Sequence, residues 1–265
     1  MNDTKKNTKT LLVVAWHNPQ QRDMFLEAWK IKSNDPRLVL QQDKLKEGCA
    51  RTKNKGIANA LAAGADVVCV LDDDCYPNDP RVQDPLSEFF EDHLKALEPQ
   101  EVQMVVPTMI PHPRGYPYRN RTIKMRVAAS IGLWTGYPDL DAMSALVIGE
   151  EPDEIQLLQS SLHEVFFPFC GMNFAFRKEE ADCAVLIDVP RFDDIWMGWI
   201  WERIAYDQGK CFNLNGPLVE HTRQSNVWKN LEEETRYMLT NESLWSAIYL
   251  ARGSDPKTLR ELFIK

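Results

Sequence analysis

Apolar positions follow two periods along this chain. Leu11 to Trp16 is a continuous apolar run, as in a strand covered on both faces. Residues 20–31 carry Met24, Phe25, Ala28 and Trp29 at helical spacing, and Arg37 to Gln42 reads as a second strand ending at Asp43. Residues 47–63 set Ile57, Ala58, Leu61 and Ala62 on one helical face, with Gly64 as the stop. Asp66 to Leu71 is a third buried strand. This alternation predicts an α/β fold of the Rossmann type, a mostly parallel sheet flanked by helices. Ligands of such sheets bind beyond the carboxyl ends of the strands. Those ends are Trp16-His17-Asn18, Gln42-Asp43 and Asp72-Asp73-Asp74.

Further along, the pattern predicts a helix at 84–97 and a strand at 102–107. Residues 108–140 are rich in Pro, Gly and Arg and read as a long functional loop. A strand follows at Phe169 to Arg177, then a helix at Phe192 to Asp207 with Ile195, Trp196, Trp199, Ile200 and Ile204 at helical spacing. Cys211 to Glu220 reads as the last strand and 229–250 as a closing helix. No repeat or linker interrupts this order. The expected organisation is a disordered tail over 1–10 and a single domain over 11–265.

Composition narrows the class. Of 265 residues, 44% are hydrophobic and 26% charged, so the chain can bury a core of its own without staples. No apolar run approaches the roughly 20 residues of a membrane span, and the polar start MNDTKKNTKT lacks the apolar stretch of a signal peptide. The net charge of −8 opposes coating nucleic acid through bulk charge, though not a local basic site. The 6 cysteines form no CxxC pair, as in a reduced, cytoplasmic protein. A homo-oligomer is left open.

The strongest chemical signal is Asp72-Asp73-Asp74 directly after an apolar strand. In an extended chain Asp72 and Asp74 share a face, and a divalent cation such as Mn²⁺ or Mg²⁺ would relieve their repulsion. The arrangement resembles the DxD motif of nucleotide-sugar glycosyltransferases, where a metal bridges the diphosphate and stabilises it as it leaves. A solvated acidic turn would give the same letters. From Val102 to Pro138 there is no acid, while Arg114, Arg119, Arg121, Lys124 and Arg126 form a basic island suited to phosphate or to solvent. Asp193 and Asp194 precede Trp196 and Trp199, which reads either as a capped core helix or as acids beside a sugar platform. His221 follows a late strand.

Several stretches, in order, resemble the reversibly glycosylated polypeptide family, whose characterised plant members are UDP-arabinopyranose mutases. They are Phe25-Leu26-Glu27-Ala28-Trp29, Asp72-Asp73-Asp74-Cys75, Arg114-Gly115-Tyr116-Pro117-Tyr118 with Arg121, and Gly132-Leu133-Trp134 with Pro138-Asp139-Leu140-Asp141-Ala142. Phe167 to Phe176, Arg191 to Trp199, and His221 with Ser225-Asn226 complete the set. The resemblance implies a glycosyltransferase-A-like fold, a UDP-sugar donor and a divalent metal, Mn²⁺ or Mg²⁺. It implies Asp72, Asp74 and His221 as metal ligands. It sets Asp43, Asp72 and Asp73 toward the nucleotide and Arg114 and Arg119 toward phosphate. Arg121 matches the arginine that becomes reversibly glycosylated, with Asp193 or Asp194 orienting it and accepting its proton. Trp134, Trp196 and Trp199 would keep water from the held sugar.

The sequence also departs from the family. It is shorter, Tyr118-Arg119-Asn120-Arg121 makes Arg119 and Arg121 compete for the modified position, and Glu220 precedes His221. Three activities follow as expectations. The first is a UDP-pentose mutase working through self-glycosylation. The second is a transferase to an external acceptor, with modified nucleic acid as one version that the net charge opposes. The third is a non-catalytic subunit that supports an active partner.

Overall fold

Leu11 to Val14 can be buried together only if both faces of their strand are covered. The computed structural model describes residues 8–103, 122–149, 161–162, 167–223 and 226–250. In it, strand β1 (Thr10–Trp16) sends Leu11 and Val13 into one core and Leu12 and Val14 into another. That is the period of two, and the two cores lie on opposite faces of the sheet.

Helix α1 (Pro19–Ala28) starts at Asn18, whose side chain accepts from the Gln20 amide. Strand β2 (Leu38–Gln42) pairs parallel with β1, Trp16 opposite Gln42. Helix α2 (Cys49–Ala62) crosses back and buries Ala50, Ile57 and Ala60. Strand β3 (Val67–Asp72) pairs parallel on the other side of β1, Ala15 opposite Asp72. Three carboxyl ends therefore finish at one rim. Strand β4 (Cys75–Pro77), helix α3 (Pro85–Ala96) and strands β5 (Gln100–Gln103), β6 (Thr122–Ile131) and β7 (Trp134–Gly136) follow. Then come helix α4 (Ala142–Ile148), strands β8 (Ser161–Leu162) and β9 (Asn173–Arg177), helix α5 (Asp193–Asp207) and strands β10 (Lys210–Asn213) and β11 (Val219–His221). Helices α6 (Val227–Glu234) and α7 (Met238–Leu250) come last. The main sheet runs β2-β1-β3-β9-β6-β10-β8, with β5 on β6, and a small second sheet runs β4-β11-β7. Among the described residues no helix is long and apolar enough to cross a membrane.

The α/β class holds, but beyond β3 the expected mostly parallel sheet becomes mixed. Strand β9 runs antiparallel to both β3 and β6, and parallel pairing returns between β6 and β10. A parallel neighbour needs a crossover, whereas β9 begins where β3 stops, Asn173 opposite Leu71. The segment before β9 therefore arrives at the same rim as the acids. Of the loop expected at 108–140, residues up to 121 lie outside the described ones, and β6 and β7 occupy most of the rest. Exposed Lys124 and Arg126 alternate there with buried Met125 and Val127, a strand period outweighed by the Pro, Gly and Arg of the wider window. The single strand expected at Cys211 to Glu220 is two strands in different sheets, parted at Gly216-Pro217. The closing helix is α6 and α7. The expected strand at 102–107 is β5 as far as Gln103; its remainder, and residues 1–7 of the expected tail, lie outside the described residues.

A buried polar chain holds the start of β9. His93 on α3 bonds Ser130 Oγ at 2.8 Å and Asn173 Oδ1 at 3.1 Å, and Asn173 donates to the Pro217 carbonyl at 2.9 Å. Gly132 has no room for a Cβ against the Asn173 side chain. Burial, only partly offset by Asn173, pushes His93 down to about 3 from its ordinary 6.5. The folded protein thus keeps this imidazole neutral while the unfolded chain protonates it, so stability falls as pH drops below the unfolded value. The contribution is about 1.4 kcal/mol per pH unit over that window. His93→Gln is expected to flatten the acid side of the stability curve. Urea midpoints at several pH values between neutral and mildly acidic test this, and parallel curves for the two proteins would refute it.

Candidate functional site

Val67 to Leu71 are buried, and the first residue of β3 to meet the rim is Asp72, whose amide donates to the Met172 carbonyl at 3.0 Å. The chain then turns at Asp73 and Asp74 into β4 instead of staying extended. The three carboxylates consequently part. Asp72 Oδ1 meets Lys53 Nζ at 2.5 Å. Asp74 Oδ2 meets Arg223 Nη2 at 2.8 Å and faces His221 Nε2 at 3.7 Å. Asp73 is buried, and its Oδ2 has no hydrogen-bond partner.

Antiparallel pairing of β4 with β11 is what brings His221 opposite Cys75 and next to Asp74. Thr222 adds two bonds to the Asp74 carbonyl, from its amide at 3.0 Å and its hydroxyl at 2.9 Å. Burial alone would raise Asp74, but His221 and Arg223 outweigh it and hold the carboxyl below the ordinary range. Burial likewise works against a charged His221, and Asp74 overcomes it, so the imidazole titrates above its ordinary value. Its Nδ1 bonds the Tyr137 carbonyl at 2.7 Å, which leaves Nε2 toward Asp74. Arg223 and Lys53 compensate Asp73 only in part. Burial first, then Asp74 and Asp72, push it up to about 7.

A second acidic pair opens α5. Asp194 accepts from the Gly171 amide at 2.6 Å and from its neighbour Ile195 at 2.8 Å. A Cβ on Gly171 would lie 2.7 Å from that of Asp194, so only glycine permits this approach. Burial, then Asp193, push Asp194 up to about 7. Between the two acidic groups sits Lys53, 3% exposed, which also donates to the Gly171 carbonyl at 3.0 Å. Burial opposes its charge, yet Asp72 and Asp193 outweigh it and hold the ammonium well above its ordinary pKa. Sequence reasoning missed Lys53. Its signal was positional: it occupies the α2 stripe of Ala50, Ile57 and Ala60, where a cation must find a buried partner. Arg223 was missed too, although it lies two residues from His221.

Other expected site residues fall elsewhere. Asp43 uses both carboxylate oxygens on the amides of Glu47 and Gly48, at 2.8 and 3.1 Å, and so shapes the turn into α2. Beside it, Trp16, Arg22, Gln42, Lys44 and Lys55 help line a cleft of about 580 Å³ at the ends of β1 and β2. Trp134 is half-buried on β7, with an Nε1 that has no partner. Trp196 and Trp199 are core side chains. Trp196 Nε1 donates to Asn241 at 2.9 Å and Trp199 packs on Trp245 with centroids 5.0 Å apart, both beneath α7. The sugar-facing wall expected of them is therefore not formed, because their helical face is the one α7 covers. Arg114, Arg119 and Arg121 lie outside the described residues.

Among the described residues no group of three or more His, Cys, Asp or Glu side chains is arranged to hold a metal ion. Asp72, turned to Lys53, is not drawn together with Asp74 and His221 as expected. A carboxylate oxygen and an imidazole nitrogen remain 3.7 Å apart, donor types that a divalent cation accepts, with Arg223 paired to the same Asp74 oxygen. Asp74→Asn removes the charge that raises His221. The expected outcome is a lower imidazole pKa in an NMR titration; an unchanged value would mean that Asp74 does not control this histidine.

A family model described as reversibly glycosylated polypeptide matches residues 61–254. "Probable UDP-arabinopyranose mutase 4" of Arabidopsis thaliana is 28% identical over 208 residues, 71% of this chain and 56% of that protein. "UDP-arabinopyranose mutase 3" of the same plant is 29% identical over 191 residues, 63% of this chain and 50% of that protein. The chain spans about half the length of the curated relatives it matches. Among solved structures, that of S. aureus TarS 1-349 in complex with UDP-GlcNAc superposes with a TM-score of 0.50 at 11% identity, covering 96% of this chain and 70% of that one. That likeness is one of fold, and the fold is glycosyltransferase-A-like. With the family model spanning Asp72 to His221 and beyond, the chain belongs to the reversibly glycosylated polypeptide family.

Proposed function

We propose that this chain is a metal-dependent UDP-sugar enzyme that interconverts the pyranose and furanose forms of UDP-arabinose through reversible self-glycosylation on Arg121. The observation that carries the reading is the meeting of two acidic groups, Asp72 to Asp74 and Asp193 with Asp194, at the carboxyl rim of a nucleotide-sugar fold. The mutase names of its relatives support the choice of reaction. Asp74 and His221 would hold Mn²⁺ or Mg²⁺, which when bound supplies positive charge to a diphosphate.

The chain's own groups would do the rest. A guanidinium stays protonated at neutral pH, so bonding through nitrogen requires a proton acceptor. Asp194, held near 7, can take and return that proton, with Asp193 beside it. As the nitrogen of Arg121 bonds to the anomeric carbon, the bond from that carbon to the diphosphate oxygen breaks and UDP keeps the electron pair. The held sugar opens and recloses through a different hydroxyl. The diphosphate oxygen then rebonds to the anomeric carbon, and the nitrogen leaves with its proton restored. The cleft beside Trp16 and Asp43 is the seat for the nucleotide in this reading.

Purified protein with UDP-arabinopyranose and Mn²⁺ should yield the furanose nucleotide on chromatography. Intact mass should show a pentose-sized gain that Arg121→Ala abolishes. The acidic limb of kcat should fall as pH drops through about 7, where Asp194 takes a proton, and Asp194→Asn should lower kcat by about 100-fold. No interconversion, together with no effect of Arg121→Ala, would sink the proposal. Label passing to an added acceptor without any mass gain would favour a transferase instead.

A further inference from the structure

Lys53 is one of the most deeply buried charges of the described residues, and its contacts are specific. Its ammonium reaches Asp72 at 2.5 Å and the Gly171 carbonyl at 3.0 Å. The amide of that same Gly171 donates to Asp194 at 2.6 Å. One glycine thus transmits contact from α2 to the acid at the head of α5, with Cys170 and Met172 on either side. Met172 in turn accepts from the Asp72 amide at 3.0 Å. The result is a closed circuit: Lys53 to Asp72, Asp72 to Met172, Gly171 to Asp194, and Gly171 back to Lys53.

We infer that Lys53 is a positioning residue, one that registers the Gly171 peptide and through it the Asp194 carboxylate against the β3 acids. The geometry has two consequences. Lys53 holds the partly buried Asp72 on the α2 side of the rim, apart from Asp74 and His221. It also fixes the height of the 170–172 segment over the rim, which sets where Asp194 meets the reacting group. The kinetic consequence rests on the mutase reading above; the positional one does not.

The removal of Lys53 alone leaves a partly buried Asp72 without its cation, which can destabilise the protein. The test therefore uses Lys53→Arg, Lys53→Met and the apolar pair Lys53→Met with Asp72→Leu, each checked for folding by circular dichroism. The measurement independent of any substrate is hydrogen exchange at the Gly171 amide. It should quicken by about 10-fold or more in the folded Met-containing variants, the loss expected of a charge-assisted bond, while amides of α3 keep their protection. Lys53→Arg, which retains the cation, should restore most of that protection. In turnover, Lys53→Met should lower kcat by about 100-fold, with KM for the UDP-sugar changed by less than about threefold. Unaltered Gly171 exchange in a folded Met variant overturns the inference, as does equal loss of protection across α3. If the wild type turns over no UDP-sugar, the function proposed above fails while the Gly171 exchange still decides the role of Lys53.

Discussion

Like charges packed at one rim are the constraint to which the rest of this structure answers. Asp72, Asp73, Asp74, Asp193 and Asp194 approach one another at a partly buried rim, and desolvation raises the cost of every one of those charges. The protein meets that cost with partners drawn from separate elements. Lys53 comes from α2, His221 from β11, and Arg223 from just beyond it. Asp73 and Asp194 remain undercompensated and titrate near neutrality, where groups that exchange protons are most useful.

Topology is how those partners arrive. A purely parallel sheet would carry only the loops after its strands to the carboxyl rim. By running antiparallel, β9 contributes the segment before it, and with that segment come Cys170, Gly171 and Met172. The small sheet β4-β11-β7 does the same for His221, pairing it with Cys75 directly after the acids. The buried chain from His93 through Asn173 to the Pro217 carbonyl pins the point where these arrangements meet. Tight glycines serve the same end. A Cβ at Gly198 would collide with Phe169, so α5 presses on the residues that lead into β9.

Much of the frame was legible in the sequence because it is local. The strands β1 and β3 read as apolar runs, α2 as a stripe, and the acids as an abrupt end to an apolar strand. The errors share one cause, which is that spacing identifies a face without identifying what covers it. Trp196 and Trp199 fit a sugar platform equally well as a core, until α7 is seen to cover them. Nor does the spacing of Asp43 show that its two oxygens take the Glu47 and Gly48 amides. Lys124 and Arg126 looked like loop because composition was averaged across a strand.

The sequence by itself determined the α/β order, the strand ends where chemistry belongs, the family and the presence of two acidic groups. Those depend on periodicity and on short motifs, each written in consecutive residues. Only the tertiary structure decided how the acids are shared out: Asp72 to Lys53, Asp74 to His221 and Arg223, Asp194 to Gly171. Ion pairs and buried hydrogen bonds depend on distances of a few ångströms between residues far apart in the chain. No local pattern encodes such a distance, because it is set by which strands run antiparallel and which helix covers which face.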